Sequence, residues 1–251
     1  ILACGSIAGE KNADFGGYAL AKALGHTILK PLPALVQLRC AGSFWKGLAG
    51  VRCDARIQLL ISGRGTKESY EEQGELQLTD YGISGIPVFQ LSRFAAAALD
   101  AGRQVKASID FLPGFRDNEA LWQELVEEKC TSCRQRSMEV LFGGLVNKKI
   151  IQTAVKLCGL SMGDRAERKN LPAIRKVFAL LRSFEVQVTD TNPFANAQVC
   201  AGGVPLTEVD GHLESRICPG LYLAGELLDA DGRCGGYNLQ WAWTTGYIAG
   251  K

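Results

Sequence analysis

Histidines and long apolar runs are scarce in this sequence, and their scarcity excludes several functions. Only two histidines occur among 251 residues. His26 follows the end of a predicted helix and His212 lies in the turn-like segment VDGHLES, so we predict a structural or solvent-facing role for each. We therefore predict no hydrolytic triad and name no catalytic residue. No apolar run approaches the ~20 residues that cross a bilayer, which predicts a soluble chain without a membrane partner.

A disulfide framework, a metal motif and a charge imbalance are also missing. The nine cysteines lack framework spacing, which favours a reducing cytoplasm. Cys130 and Cys133 form a single C-x-x-C at a predicted helix end, so we interpret both as small structural residues and predict no metal. The net charge of +2 predicts no nucleic-acid partner. The basic segment DRAERKNLPAIRK has no interleaved aromatic residues and is interpreted as a solvated helix face.

The beginning of the chain lacks an initiator Met, a signal peptide and a transit segment. ILACGSIAG has the pattern of a buried strand that meets a glycine turn. We interpret the chain as a fragment or processed piece whose natural N-terminal portion is missing.

Hydrophobic periodicity divides the chain into an α/β beginning, a β-rich piece, a helical piece and an α/β ending. Alternation in VRCDARIQLLIS and QVKASIDFL predicts strands, and GRGTKESYEEQG predicts a hairpin loop. A 3.6-residue period after Asp117 predicts three helices, each begun by an Asp or Asn cap. We predict that residues 1–33 and 190–251 form one discontinuous α/β domain. A β-rich subdomain at 34–113 and a helical subdomain at 114–189 would interrupt it.

Four glycine turns, ACGS, CAGGV, LAGE and CGGYN, lie in the two α/β pieces. Neither G-x-G-x-x-G nor G-x-x-x-x-G-K-[ST] occurs in the sequence. One such turn would be explained by tight backbone geometry alone. Four turns at the ends of apolar strands predict a ligand crevice, because open α/β sheets bind cofactors at the carboxyl ends of their strands.

The last of these turns leads into the segment CGGYNLQWAWTTG. Gly235 and Gly236 precede a predicted helix, whose N-terminus offers free N–H groups and partial positive charge to an electron-rich ring. Glu226 follows a buried strand, where its carboxylate could accept hydrogen bonds from a polyol. Trp241 and Trp243 lie about 200° apart on a helix, so we predict that at least one packs in the core.

This C-terminal segment, with CAGGV and SRICPGLYL before it, resembles the signature of BaiN/YhiN-type flavoproteins, a family of NAD(P)/FAD-dependent oxidoreductases. ILACGS, GGYALAKALGHTILKPLPALVQL and LTDYGISGIPVFQLSR resemble further segments of that family, so the similarity covers essentially the whole chain. The resemblance implies an FAD-binding α/β domain of the glutathione-reductase type, interrupted by an insert with a β-barrel-like part and an α-helical part. It implies FAD as the cofactor, and we expect NAD(P)H and a small-molecule substrate as partners.

The resemblance also implies which residues bind the cofactor. They are expected near the strand ends, the ribityl chain and the isoalloxazine ring: Ala3, Gly5, Gly202, Gly203, Gly225, Glu226, Gly235, Gly236, Tyr237, Asn238 and Leu239.

The sequence departs from the family pattern at three places. Cys4 stands where the family usually has Thr, and DFGG replaces a Gly-Asp-Gly turn, which leaves Asp14 without an assigned role. The strand, G-x-G-x-x-G turn and helix that hold the FAD pyrophosphate in this family are absent. We therefore expect the parent protein to be an FAD-dependent oxidoreductase and this chain to be an inactive, FAD-poor piece of it. The alternative is a non-catalytic module that recognises a partner through a flavoprotein scaffold.

Overall fold

The computed structural model describes residues 1–5, 7–9, 15–63, 65–132 and 135–251. Within these ranges the helices are α1 (Gly16–Ala23), α2 (Trp45–Leu48), α3 (Ile86–Asp100), α4 (Glu119–Ser132), α5 (Met138–Phe142), α6 (Lys148–Leu157), α7 (Leu171–Arg182) and α8 (Tyr237–Ala249). The strands are β1 (Leu29–Ala34), β2 (Leu38–Cys40), β3 (Arg52–Gly63), β4 (Thr66–Leu78), β5 (Gly82–Ser84), β6 (Gln104–Asp110), β7 (Phe184–Thr191) and β8 (Val199–Gly203). None of these helices combines the length and the apolar character that a bilayer crossing requires.

The chain divides into two compact units. The first, called here the α/β unit, comprises residues 1–38, 88–102 and 190–251. The second, the barrel unit, comprises residues 39–87 and 103–189. The domain boundaries drawn from the sequence stay a prediction. In the structure, residues 88–102 group with the α/β unit, and the β-rich and helical pieces group together.

The barrel unit contains a closed six-stranded barrel in the order β2-β5-β4-β3-β6-β7. Alternate residues of β3, among them Ile57, Leu59 and Ile61, are at most 2 % exposed, as the period-two pattern predicts. In the antiparallel ladder to β6, Ile57 lies opposite Ile109. Burial of each such aliphatic side chain stabilises the fold by about 1.5–3 kcal/mol. The predicted barrel-like part is therefore confirmed.

One detail of this barrel was wrongly predicted. The segment interpreted as a hairpin loop is mostly strand, since β4 begins at Thr66 and pairs there with Gly63. Its polar residues lie on an exposed part of the strand, so their composition reflects solvent contact. β7 pairs with β6 and forms part of the barrel.

Two of the three predicted helix caps are present in the barrel unit. Asn118 Oδ1 accepts a hydrogen bond from the Leu121 N–H at 3.0 Å, and Asn147 Oδ1 accepts one from the Lys149 N–H at 2.9 Å. Asn170 does not cap α7 in this way.

The α/β unit has its own core. β1 and β8 form a two-stranded antiparallel sheet, and single parallel bridges join Leu2 to Leu223 and Val204 to Leu228. Tyr18 of α1 packs into the core that these bridges border. The strand predicted at the chain start is thus reduced to one bridge at Leu2.

Candidate cofactor site

A cavity of about 550 Å³ lies at the N-terminal end of α8, a size typical of small-molecule sites. All of its lining residues belong to the α/β unit. They are Ala3, Leu35, Gln198, Val199, Ala224, Gly225, Glu226, Cys234, Gly235, Gly236, Asn238, Leu239, Ala242 and Gly246. Seven sequence-predicted residues line this cavity: Ala3, Gly225, Glu226, Gly235, Gly236, Asn238 and Leu239. Their role in cofactor binding stays a prediction.

The start of α8 depends on two adjacent glycines. Gly235 and Gly236 have φ angles of 125° and 91°, which residues with a Cβ rarely adopt. The first bond within the helix runs from the Gln240 N–H to the Gly236 carbonyl at 3.0 Å. The preceding N–H groups of the first turn therefore have no carbonyl partner within the helix. Together with the helix dipole they favour an electron-rich ligand at this end of the cavity.

Asn238, predicted to approach the cofactor ring, also holds the loop before the helix. Its Oδ1 accepts from the Gly232 N–H at 2.7 Å, and its Nδ2 donates to the Gly232 carbonyl at 3.0 Å. Asn238 thus fixes the turn through both ends of its amide, although it also lines the cavity.

Two side chains that the sequence did not single out as site residues anchor α8 to the cavity wall. The Gly225 N–H donates to Thr245 Oγ1 at 2.9 Å, and Trp241 Nε1 donates to the Gly225 carbonyl at 3.1 Å. Thr245 is 1 % exposed and Trp241 packs against the core. Trp243 is 69 % exposed. The prediction that at least one tryptophan packs is therefore confirmed for Trp241.

Glu226 joins the cavity to the core beneath it. Its carbonyl accepts a hydrogen bond from the Tyr18 hydroxyl at 3.2 Å, and one of its carboxylate oxygens is buried. Burial raises the pKa of Tyr18, and the nearby Cys200 and Glu226 add to that shift. Burial also raises the pKa of Cys200 to about 11. Tyr18 and Cys200 therefore stay protonated at neutral pH, which weakens any role as nucleophiles.

Three glycines of the cavity have free space beside them. A Cβ at Gly225, Gly236 or Gly246 would meet no heavy atom within 4 Å. We call these three the open glycines. A flat ring could approach the backbone here more closely than it could beside a side chain. The residues present therefore fit a planar, electron-rich cofactor such as a flavin.

Three other predicted site glycines are placed differently. A Cβ at Gly5 would lie 2.1 Å from the Leu227 nitrogen, one at Gly202 would lie 2.5 Å from the Lys30 carbonyl oxygen, and one at Gly203 would lie 2.5 Å from the Leu227 carbonyl oxygen. We call Gly5, Gly202 and Gly203 the packed glycines. Contact with the protein's own backbone is sufficient to explain why glycine occupies these positions.

Tyr237 also lies outside the set of residues that line the cavity. It is the first residue of α8 and is 64 % exposed. Its predicted approach to the cofactor ring is untested.

Two polar links hold the loop between Glu226 and α8. Asp229 Oδ1 accepts from the Gly202 N–H at 3.1 Å. Arg93 of α3 lies 3.0 Å from Asp231 Oδ1 through Nη2 and donates to the Asp231 carbonyl at 3.2 Å. Burial raises the pKa of Asp231, although Arg93 opposes that shift. The Cys234 N–H, at the cavity edge, donates to Gln90 Oε1 at 3.3 Å.

His26 is part of a buried polar network. Its Nδ1 lies 2.7 Å from Glu208 Oε2 and its Nε2 lies 2.8 Å from Ser215 Oγ. Ser215 Oγ already accepts from the Ile217 and Cys218 N–H groups, so its proton points to His26 and His26 donates to Glu208. Ser215 is 5 % exposed and its lone pairs are occupied, which does not suit a nucleophile. His26 is thus buried with both ring nitrogens hydrogen-bonded, and its structural role stays a prediction.

The described part of the chain contains no group of His, Cys, Asp and Glu that could hold a metal ion. Cys130 is 4 % exposed. Cys133, its partner in the C-x-x-C, lies outside the described residues, as does Asp14.

Comparison with family models identifies this fold. Residues 1–251 match the family described as the HI0933-like protein Rossmann domain. The chain belongs to this family. The match confirms the resemblance to BaiN/YhiN-type flavoproteins and establishes a Rossmann-type α/β domain, which here accompanies the closed barrel. FAD is the cofactor expected for members of this flavoprotein oxidoreductase family.

Curated relatives differ in the substrates that their names state. The chain is 42 % identical over 253 residues to a 3-dehydro-bile acid delta(4,6)-reductase of Clostridium scindens, covering 100 % of this chain and 61 % of that protein. It is 27 % identical over 234 residues to a ribosomal RNA dihydrouridine synthase of Haemophilus influenzae, covering 92 % of this chain and 54 % of that protein. It is 26 % identical over 236 residues to a ribosomal RNA dihydrouridine synthase of Escherichia coli, covering 94 % of this chain and 55 % of that protein. The chain thus spans between 54 % and 61 % of the length of these relatives.

Proposed function

We propose that the protein is an FAD-dependent oxidoreductase and that the cavity at the start of α8 receives the flavin ring. The observation that carries this proposal is the set of open glycines that line the cavity: Gly225, Gly236 just before α8, and Gly246 within that helix. Family membership supports it. When bound, the flavin would supply the electron transfer, and the protein would supply placement and electrostatics.

The residues of the cavity have separate roles in this proposal. The N–H groups at the start of α8 stabilise negative charge on a ligand that lies against Gly235 and Gly236. Glu226 accepts hydrogen bonds from hydroxyl groups of the cofactor chain. Thr245 and Trp241 keep Gly225 at a fixed distance from α8 through its N–H and carbonyl.

The electron donor and the substrate are part of the proposal. We take NAD(P)H as the donor and a small molecule as the substrate, because the relative with 42 % identity is named as a reductase of a bile acid. The more distant relatives are named for ribosomal RNA, so the substrate is left at that general class. A cytoplasmic location is likewise proposed, and the lack of disulfide-framework spacing among the cysteines of the sequence supports it.

The 251-residue chain alone should hold FAD weakly. Its sequence contains no G-x-G-x-x-G turn, and that turn binds the dinucleotide pyrophosphate in Rossmann folds. The test is the flavin absorbance of the purified chain, followed by titration with FAD. Stoichiometric flavin in the purified chain would contradict this part of the proposal.

A pair of variants tests the placement of the ring. Gly246→Leu fills the open space in the cavity, whereas Tyr247→Leu changes the next residue, which is 65 % exposed and does not line the cavity. We expect FAD affinity to fall at least tenfold in Gly246→Leu and to change less than twofold in Tyr247→Leu, a difference of about 1.4 kcal/mol or more in binding free energy. Equal affinities in the two variants would place the ring elsewhere.

Reductive titration distinguishes the enzyme from the partner-recognition alternative. A longer form of the protein that includes a G-x-G-x-x-G segment is titrated anaerobically with NADH and with NADPH. Loss of the oxidised flavin spectrum supports the oxidoreductase. A flavin that stays oxidised with both donors would favour the non-catalytic module.

A further inference from the structure

Leu35, one of the residues that line the cavity at α8, has a backbone conformation that leucine rarely adopts. Among the described residues, eighteen glycines have a positive φ, but only three other residues do, namely Leu35, Gln135 and Leu213. Of these three, only Leu35 lines this cavity. Its φ of 49° brings the Cβ close to the following carbonyl oxygen, which costs free energy that glycine avoids. The chain thus has a leucine where glycine would be less strained.

The neighbouring structure holds Leu35 in this conformation from both sides. Ala34, the residue before it, pairs with Val199 in the ladder between β1 and β8. The Val36 N–H, after it, donates to Ser92 Oγ at 3.2 Å, and that hydroxyl donates to a backbone carbonyl of α3 at 2.7 Å. Val36 and Ser92 are both 0 % exposed. Backbone strain that is fixed in this way is typical of residues at ligand sites.

Leu35 also belongs to an apolar part of the cavity. It packs with Ala34 and Val199 in a small core cluster, against which Cys234 packs as well. Leu35, Val199 and Cys234 all line the cavity, and we call these three residues the Leu35 wall. The start of α8 supplies free N–H groups to the same cavity. The cavity therefore combines a polar part at the helix N-terminus with an apolar part at the Leu35 wall.

We propose that the Leu35 side chain packs against the flavin ring and thereby fixes the position of the ring in the cavity. This role rests on the proposed function of the cavity as the flavin site. An isoalloxazine ring has a polar edge with carbonyl and nitrogen atoms and an apolar edge with two methyl groups. The N–H groups of α8 suit the polar edge, and the Leu35 wall suits the apolar edge because the contact removes apolar surface from water. A contact with the ring gives a reason for a side chain at this strained position.

Leu213 is a matched control for Leu35. It has a φ of 66° and is 7 % exposed, whereas Leu35 is 5 % exposed. Leu213 packs in the core of the α/β unit and does not line the cavity. Substitutions at the two leucines should therefore have similar effects on stability, but only those at Leu35 should change flavin binding.

Flavin titration of the 251-residue chain tests the contact. The probes are FAD and lumiflavin, which carries the ring without the ribityl chain, and quenching of flavin fluorescence measures the affinity. Because the ring loses an apolar contact, Leu35→Ala should lower the affinity for both probes by about tenfold. Leu213→Ala should change either affinity by less than about twofold. Leu35→Met, which nearly conserves the side-chain volume, should keep both affinities within about twofold of those of the unaltered chain.

Glycine variants separate the backbone strain from the contact. At a positive φ glycine is less strained than alanine. Leu35→Gly and Leu213→Gly should therefore unfold at higher urea concentrations than the corresponding alanine variants. Leu35→Gly should nevertheless bind both flavins as weakly as Leu35→Ala, because it also lacks the side chain. If Leu35 only supported the fold, flavin affinity would instead follow stability.

Several results would overturn this role of Leu35. They are an equal loss of affinity in Leu35→Ala and Leu213→Ala, a flavin affinity that rises with stability in Leu35→Gly, or a loss for FAD without a loss for lumiflavin. If the unaltered chain and Leu35→Ala bind flavin equally, the contact is wrong and the proposed flavin site stands. If the unaltered chain binds neither flavin, the contact and the proposed site fail together.

Discussion

The α/β unit uses glycine in two different ways. At the packed glycines a Cβ would overlap the backbone of a neighbouring segment, whereas at the open glycines it would meet nothing within 4 Å. The packed glycines and two of the open glycines, Gly225 and Gly236, come from the same kind of glycine turn in the sequence, and all five were predicted to lie near a cofactor. The same local signal therefore marks either close backbone packing or access for a ligand. Only the contacts across the fold distinguish them.

The largest expected effect is at a packed glycine. Gly203 has a φ of 121°, and its Cβ would lie 2.5 Å from the Leu227 carbonyl oxygen. Gly203→Ala combines backbone strain with overpacking, so we expect it to lower the free energy of unfolding by about 3 kcal/mol. Urea denaturation followed by circular dichroism measures this loss.

The control is an open glycine that also has a positive φ. Gly236 has a φ of 91° but free space beside it, so Gly236→Ala should cost only the strain, about 1 kcal/mol. Equal losses at the two positions would show that backbone strain alone, and not packing, sets the cost.

A smaller effect tests the polar network of His26, Glu208 and Ser215 in the α/β unit. Burial opposes ionisation of Glu208, but hydrogen bonds from Thr27 and His26 outweigh it and lower the pKa of this carboxyl below its usual 4.5. The stabilisation is therefore present above pH 4.5 and is lost as the pH falls through the lowered pKa. Glu208→Gln should destabilise the protein by about 1.5 kcal/mol at pH 7.

The pH dependence of this difference is the decisive measurement. Unfolding curves of the parent protein and Glu208→Gln should converge as the pH is lowered below 4.5. A difference that is constant between pH 7 and pH 3 would show that the charge of Glu208 does not contribute.

The hydrogen bond from Trp241 to the Gly225 carbonyl gives a third prediction. Trp241→Phe removes the donor to the Gly225 carbonyl and should lower the free energy of unfolding by about 1 kcal/mol. Trp243→Phe changes an exposed ring and should alter it by less than about 0.5 kcal/mol. Thermal unfolding of both variants measures the contrast. A larger loss in Trp243→Phe would mean that the exposed ring carries the packing energy.

The sequence predicts the parts of the fold whose signal is local. The alternation of Ile57, Leu59 and Ile61 predicts β3, because one face of that strand is buried and the other is not. The exposed polar residues of β4 carry no such alternation, so the strand resembled a loop. Seven residues at the cavity were found from motifs near one another in sequence. Thr245 and the pair Arg93 and Asp231 were missed because their contacts join positions 20 and 138 residues apart.

The smallest expected change in stability is at Gly246, an open glycine where one substitution should affect folding and cofactor binding in opposite directions. Gly246 lies inside α8, has no positive φ and has no neighbour that a Cβ would meet within 4 Å. Gly246→Ala should therefore stabilise the helix by about 0.5–1 kcal/mol.

The same methyl group would project into the cavity that Gly246 lines, so FAD affinity should fall severalfold while stability rises. Thr244→Ala is the matched control, since it also raises helix propensity at a position outside the cavity lining, and it should leave FAD affinity unchanged. On the same samples, urea unfolding measures the change in stability and FAD titration measures the change in affinity. A Gly246→Ala protein that is more stable and binds FAD normally would show that the space beside this glycine does not receive the ring. At a packed glycine the same substitution could not raise stability while lowering FAD affinity, because there the methyl group would disturb the fold itself.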